Sequence, residues 1–245
     1  MSAPLRVGVI GLGARCVIAE NCHKATIPAE LVGGCDPNPA MRQRATEVLG
    51  DYPWFETLDE LLELGIDCAI VTSPDDTHED ITCALLEAGV AVYLEKPIAI
   101  TIEGSDRVLE TAYRTKTPLY VGHNMRHMAV VRILRQVVQD GLIGEVRAIW
   151  CRHFVGNGGD YYFKDWHADR SRTTGLLLQK AAHDIDVMNW LSDSVPERVV
   201  GMGDLMLYGK LSDRSGQKSD AVMSDWFSFD NWPPASLTGL NPVID

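Results

Sequence analysis

Three groups of residues have the types and spacing that chemistry on a small polar molecule requires. The first is Glu95-Lys96-Pro97, which directly follows the apolar run Val90 to Leu94. A parallel sheet opens its ligand crevice at the carboxyl ends of its strands, so Lys96 is placed to act as acid or base beside a bound cofactor. The competing reading is a solvated lysine at a strand end, paired with Glu95. The second group is Gly11-Leu12-Gly13-Ala14-Arg15-Cys16, between the strand Leu5 to Ile10 and a helical stretch from Cys16 to Lys24. A strand, tight turn and helix in that order set backbone N–H groups against a pyrophosphate. The pattern is GxGxxC rather than GxGxxG, with Cys16 small enough for close helix–strand packing. The third group is Gln179, His183 and Asp186, whose spacing puts them on roughly one face of a helix, while Lys180 and Asp184 are spaced as a separate pair.

The elements that must hold these groups alternate in type. Strands are predicted at Leu31 to Cys35, Asp67 to Val71, Val90 to Leu94 and Leu119 to Val121, with helices at Thr77 to Glu87 and Thr101 to Arg114. Such alternation specifies a doubly wound, mainly parallel α/β sheet, here a Rossmann domain over residues 1–122. Asp36 ends the second strand, where an acidic side chain accepts hydrogen bonds from the adenosine ribose and repels a 2′-phosphate. It therefore selects NAD over NADP, although it also suits the start of the turn Asp36 to Pro39. The loop Thr72 to His78 follows another strand, and Ser73, Pro74 and His78 are candidates to meet the nicotinamide. His78 has an equally simple reading as an exposed first-turn helix residue. A helix from Met128 to Asp140 and a strand from Glu145 to Phe154 open a second α+β domain, residues 123–245, and another strand is expected at Pro196 to Met202.

Composition sets limits on function. The chain has 245 residues and a formal charge of −12, which argues against nucleic acid as a main partner. No window holds the apolar residues needed to span a membrane, and the N-terminus shows no signal-peptide pattern, so a cytoplasmic protein without a membrane partner is expected. Six cysteines with no CxxC pair read as reduced structural thiols. His123 and His127 lack a third ligand at a convincing spacing, so no metal site is expected.

The ordered set Ile10 to Gly13, Thr72 to His78, Val92 to Pro97, Val121 to Arg126 and Gly175 to Asp186 resembles the Gfo/Idh/MocA oxidoreductases, which include glucose-fructose oxidoreductase and inositol dehydrogenase. The loop Tyr161 to His167 is similar to that of sugar-type members. The resemblance implies NAD-dependent hydride transfer from a secondary alcohol of a sugar, polyol or sugar derivative, with Lys96 and His183 sharing the proton work. It also implies cofactor contacts at Gly11, Gly13, Ala14, Arg15, Asp36, Ser73, Pro74, His78, Glu95 and Lys96. The usual family pattern has an aspartate four residues before the histidine; this chain has Gln179, which can bond an imidazole or a hydroxyl but carries no charge.

Substrate contacts are expected from Asn124 and Arg126 at the domain junction, from Lys180, and from Trp166, His167 and Arg170, since aromatic faces stack on sugar rings while polar side chains bond hydroxyls. Trp166 and Tyr162 would alternatively just pack their loop, and Arg126 would alternatively start a helix joining the domains. The family continues with more strands beyond the polar stretch Tyr208 to Asp245, so the resemblance implies a truncated substrate domain, and a homo-oligomer if that sheet is complete. Two other activities fit the same residues: NAD-assisted, redox-neutral glycoside cleavage, and a silent NAD-binding sensor, which Gln179 makes credible.

Overall fold

The computed structural model describes residues 3–24, 26–154 and 162–203. Two compact units divide the chain, 1–151 with 169–195, and 152–168 with 196–245. Residues 155–161 of the glycine-bearing loop, and the stretch Tyr208 to Asp245, lie outside the described residues.

The first unit is built on a parallel sheet of six strands, β1 (Leu5–Ile10), β2 (Ala29–Cys35), β3 (Trp54–Phe55), β4 (Cys68–Val71), β5 (Ala91–Glu95) and β6 (Leu119–Gly122). Their order is β3-β2-β1-β4-β5-β6. The order reverses beside β1, and in such sheets a crevice opens there at the carboxyl ends of the strands. All five strand pairs are parallel. Alternate residues of a strand face opposite sides, and β1 shows it: Ile10 enters a core with Val71, Leu85, Leu86 and Leu94, whereas Val9 enters one with Leu12, Cys16, Ala19 and Leu31. The predicted stretch after the glycine turn forms 3-10 turns over Ala14–Lys24, and Cys16 is buried there, as close packing requires.

Helices cover both faces. α1 (Pro39–Leu49) starts at Asn38, whose side chain accepts from Ala40 N, with Pro39 in the first turn. α2 (Leu58–Leu62) starts in a capping box between Thr57 and Glu60. α3 (His78–Glu87) and α4 (Ile102–Thr115) follow, the latter capped by Thr101. Past the sheet, the same unit holds α5 (Ala129–Gln139), α6 (Arg170–Thr173) and a wide helical turn, Leu177–Ala181, that leads into α7 (Ala182–Ser192).

Two expected strands are not formed. Residues 145–154 and 196–202 run without regular structure, and among the described residues no strand pairs with either. A strand needs a neighbour for its N–H and C=O groups, so the apolar alternation here does not suffice. Among the described residues no helix is long and apolar enough to cross a membrane.

The tightest backbone approach is at Gly11, with φ of +85°, where an added Cβ would lie 2.4 Å from Ser73 N. Gly11→Ala is expected to destabilise the fold by about 2 kcal/mol or more, since a left-handed conformation and a backbone clash combine. A denaturant midpoint equal to wild type would contradict this.

Candidate active site

Lys96 leaves the carboxyl end of β5 and turns inward. Its Nζ donates to the backbone carbonyl of Gln179 at 2.6 Å, 83 residues along the chain. The pairing with Glu95 suggested by adjacency in sequence is not what holds it: Glu95, 7% exposed, binds the Arg15 guanidinium at 2.6 Å instead. Burial holds the Lys96 ammonium below the usual lysine range; Asp75 and Glu95 oppose the shift, while Lys180 and Arg15 add to it.

The helix face foreseen from spacing divides into two parts. Gln179 and His183 are buried. Asp186 instead takes a bidentate pair from Arg126, at 2.7 and 2.5 Å, and lies 3.8 Å from His123 Nδ1. Arg126 also sits 5.5 Å over the Trp190 ring, so its guanidinium is engaged in joining the turn Asn124–His127 to α7. His183 meets His123 edge to face at 6.2 Å, and its Nδ1 has no hydrogen-bond partner among the described residues. Burial and then the cations Lys96, Lys180 and His123 push His183 down to about 4, against the pull of Glu95. The imidazole is thus neutral near pH 7. Burial also lowers His123, with Asp186 opposing.

The loop after β4 contributes more than sequence reasoning assigned to it. Its turn Asp75–Thr77 places Asp76 on Arg172 at 3.0 and 3.1 Å, and Thr174 Oγ1 donates to Ile100 O at 2.8 Å, so the chain leading to Gln179 is fastened to this edge. Asp75 is buried, and its Oδ2 has no hydrogen-bond partner among the described residues. His78 is 1% exposed, with Nδ1 2.6 Å from Pro97 O and Nε2 2.9 Å from Ser73 O. His78 opens α3 as a first-turn residue but is buried rather than exposed to water, and both its ring nitrogens lie against backbone carbonyls. Its effect is to tie the Ser73-Pro74 loop to the segment after Lys96. Asp75 and His123 are the site residues that sequence reasoning missed; Asp75 lay within the Thr72 to His78 segment, whose position at a strand's carboxyl end is the signal that marks it.

Asn124 and Lys180 are half-buried, and Arg170 is exposed at the start of α6. Trp166 and His167 belong to the other compact unit, where their rings stack with centroids 3.7 Å apart.

The glycine turn fits a dinucleotide. An added Cβ at Gly13 would meet nothing within 4 Å, leaving open space before the first helical turn. Asp36 is held ready, its carboxylate accepting from Leu12 N and from Asn38 N, both at 2.8 Å. Fold and turn together define a Rossmann dinucleotide-binding protein.

The particular family follows from comparison with known proteins. Residues 5–123 match the model for an oxidoreductase family with an NAD-binding Rossmann fold, and residues 131–227 match the GFO/IDH/MocA C-terminal domain, so the chain belongs to the GFO/IDH/MocA oxidoreductase family. It is 30% identical over 187 residues to YteT of Bacillus subtilis, covering 74% of this chain and 44% of that protein. It is 30% identical to inositol 2-dehydrogenase of Serratia proteamaculans, covering 77% of this chain and 55% of the relative. The crystal structure of scyllo-inositol dehydrogenase from Lactobacillus casei with bound NAD(H) and scyllo-inositol matches with a TM-score of 0.67 at 26% identity, over 78% of this chain and 57% of that one. The chain spans about half the length of the curated relatives it matches.

The charge pattern predicts the behaviour of His183. Its folded value near 4 lies below the ordinary 6.5, so the unfolded chain binds the extra proton and stability falls as pH drops from 6.5 towards 4. The His183 imidazole resonance should stay constant through the neutral range, and Lys96→Met should move its titration upward by removing a cation. A wild-type titration at the ordinary value would contradict the arrangement.

Proposed function

We propose that this chain carries the cofactor-binding and proton-transfer centre of an NAD-dependent dehydrogenase that oxidises a secondary alcohol of a polyol, sugar or sugar derivative. The observation that carries the reading is the inward-turned Lys96, held by a backbone carbonyl beside neutral His183 at the carboxyl edge of the sheet.

Gly11, Gly13, Ala14 and Arg15 would face the pyrophosphate, and Asp36 the adenosine ribose. Bound NAD supplies the hydride acceptor. The proton chemistry belongs to the chain itself. Alcohol oxidation releases a hydroxyl proton together with the hydride, and a neutral amine must take it up. A neutral Lys96 has two N–H bonds and one lone pair. With one N–H directed to Gln179 O at 2.6 Å, the lone pair is left for the substrate hydroxyl. Burial increases the fraction of Lys96 in that neutral form near physiological pH. Neutral His183 offers a second hydrogen-bonding group for the same or the adjacent hydroxyl. Lys180, half-buried one residue after Gln179, would bond a further oxygen. The similarity to proteins named inositol 2-dehydrogenase supports a polyol as substrate.

The test is NAD binding by calorimetry, then NADH absorbance with inositols and sugars. NADH formation on at least one of them is expected, with Lys96→Ala lowering turnover about 10²–10⁴-fold. Asp36→Ala should weaken NAD binding about tenfold or more through loss of the charge-assisted ribose bonds. Binding without NADH, but with release of free sugar from a glycoside, would support redox-neutral cleavage instead. Near-wild-type turnover of Lys96→Ala would overturn the assignment of the base.

A further inference from the structure

One ion pair joins two separate turns at the carboxyl edge of the sheet. Arg15 belongs to the glycine turn after β1, yet its guanidinium leaves that turn: Nε and Nη2 donate to Glu95 Oε1 at 3.1 and 2.6 Å, 80 residues along the chain. The other carboxylate oxygen, Oε2, accepts from Lys96 N at 3.2 Å. Glu95 is buried, whereas the Arg15 side chain is 48% exposed. A single carboxylate therefore holds both the glycine turn and the main chain of the residue that carries the amine.

β4 lies between β1 and β5 in the sheet, so the pair bridges the end of an intervening strand. Neighbouring strands lie about 4.8 Å apart, which puts the two strands it joins about 10 Å from each other. A planar guanidinium with two nitrogens on one oxygen reaches across and fixes the direction of approach, which a lysine ammonium does not do. Glu95 depends on the contact in turn, because a buried carboxylate deprived of its cation is strongly unfavourable. Lys96 is then held at both ends, its backbone N by Glu95 and its Nζ by Gln179 O at 2.6 Å.

We propose that Arg15 is a positioning residue that acts through Glu95: the pair holds the Lys96 main chain at a set distance from the glycine turn, and so sets the base against the bound dinucleotide. The inference rests on the reading of Lys96 as the base, and is tested separately from it. The main chain of Arg15 is left to the dinucleotide, while its side chain serves the base.

The test compares wild type, Arg15→Met, Glu95→Gln and the double variant. In the purified chain without added ligands, hydrogen exchange at Lys96 N–H, followed by NMR relative to the amide of Val71 in β4, should be faster in Arg15→Met, because the carboxylate has lost its anchor. An unchanged ratio overturns the proposal and leaves the pair as a fastening of the fold alone. NAD affinity by calorimetry should stay close to wild type in Arg15→Met; a loss of about tenfold or more, repeated when Glu95→Gln is already present, would make the guanidinium a pyrophosphate ligand and overturn the proposal. With an inositol that the wild type oxidises, kcat should fall about 10- to 100-fold in Arg15→Met with KM less affected. The double variant should lose no more than Arg15→Met alone, since both changes break one contact, and additive losses overturn the proposal. If Arg15→Met does not fold, Arg15→Lys decides by the same measurements, because it keeps the charge and lacks the fork. Faster exchange at Lys96 with unchanged kcat supports the link and overturns instead the assignment of Lys96 as the base.

Discussion

The bond from Lys96 Nζ to the Gln179 carbonyl is the contact on which the rest of the site depends. It joins the end of β5 to the start of the last long helix, and without it the sheet edge and that helix would each carry an incomplete set of groups. A backbone carbonyl suits the task because it accepts a proton donor without bringing a full negative charge. A carboxylate in direct contact would hold the lysine firmly in its ammonium form, whereas the carbonyl fixes the position of the amine and leaves its protonation to burial and to neighbours slightly further off.

Those neighbours are arranged so that most formal charge is already matched. Arg15 takes Glu95, Arg126 takes Asp186 and Arg172 takes Asp76. Each pair also fastens one segment to another, so the ion pairs shape the site as well as balancing it. Burial first, and then the positive charge of Lys96 and Lys180, keeps the His183 imidazole neutral. The replacement of a carboxylate by Gln179 on the helix is therefore compatible with proton chemistry, because neutrality of His183 follows from its burial and then from its cationic surroundings.

Much of this was legible in the chain. The alternation of apolar runs with helical stretches located β1, β4 and β5 to within a residue or two, and the run before Glu95-Lys96-Pro97 placed Lys96 at a strand's carboxyl end, because parallel strands buried on both faces read as continuous apolar segments. The helix face holding Gln179 and His183 was visible from spacing alone. α1 and β3 were not foreseen: α1 buries only Ala45 and so shows little apolar periodicity, and β3 has two residues. The strands expected at 145–154 and 196–202 failed for the converse reason, since alternation marks a surface able to pair but does not supply the partner. Asp75 and His78 were hidden because a turn sequence rich in Pro and Asp reads as solvent-facing, while both are buried and His78 meets Pro97 from a more distant part of the chain.

The most direct test of the central claim is the pH dependence of kcat/KM for NADH formation by the wild-type chain with a polyol that it oxidises. If Lys96 must be neutral to accept the hydroxyl proton, the rate should rise with pH and level off below 10.5, the ordinary lysine value from which burial displaces this residue. A rate independent of pH across that range, or one still rising at the ordinary lysine value, would contradict the account.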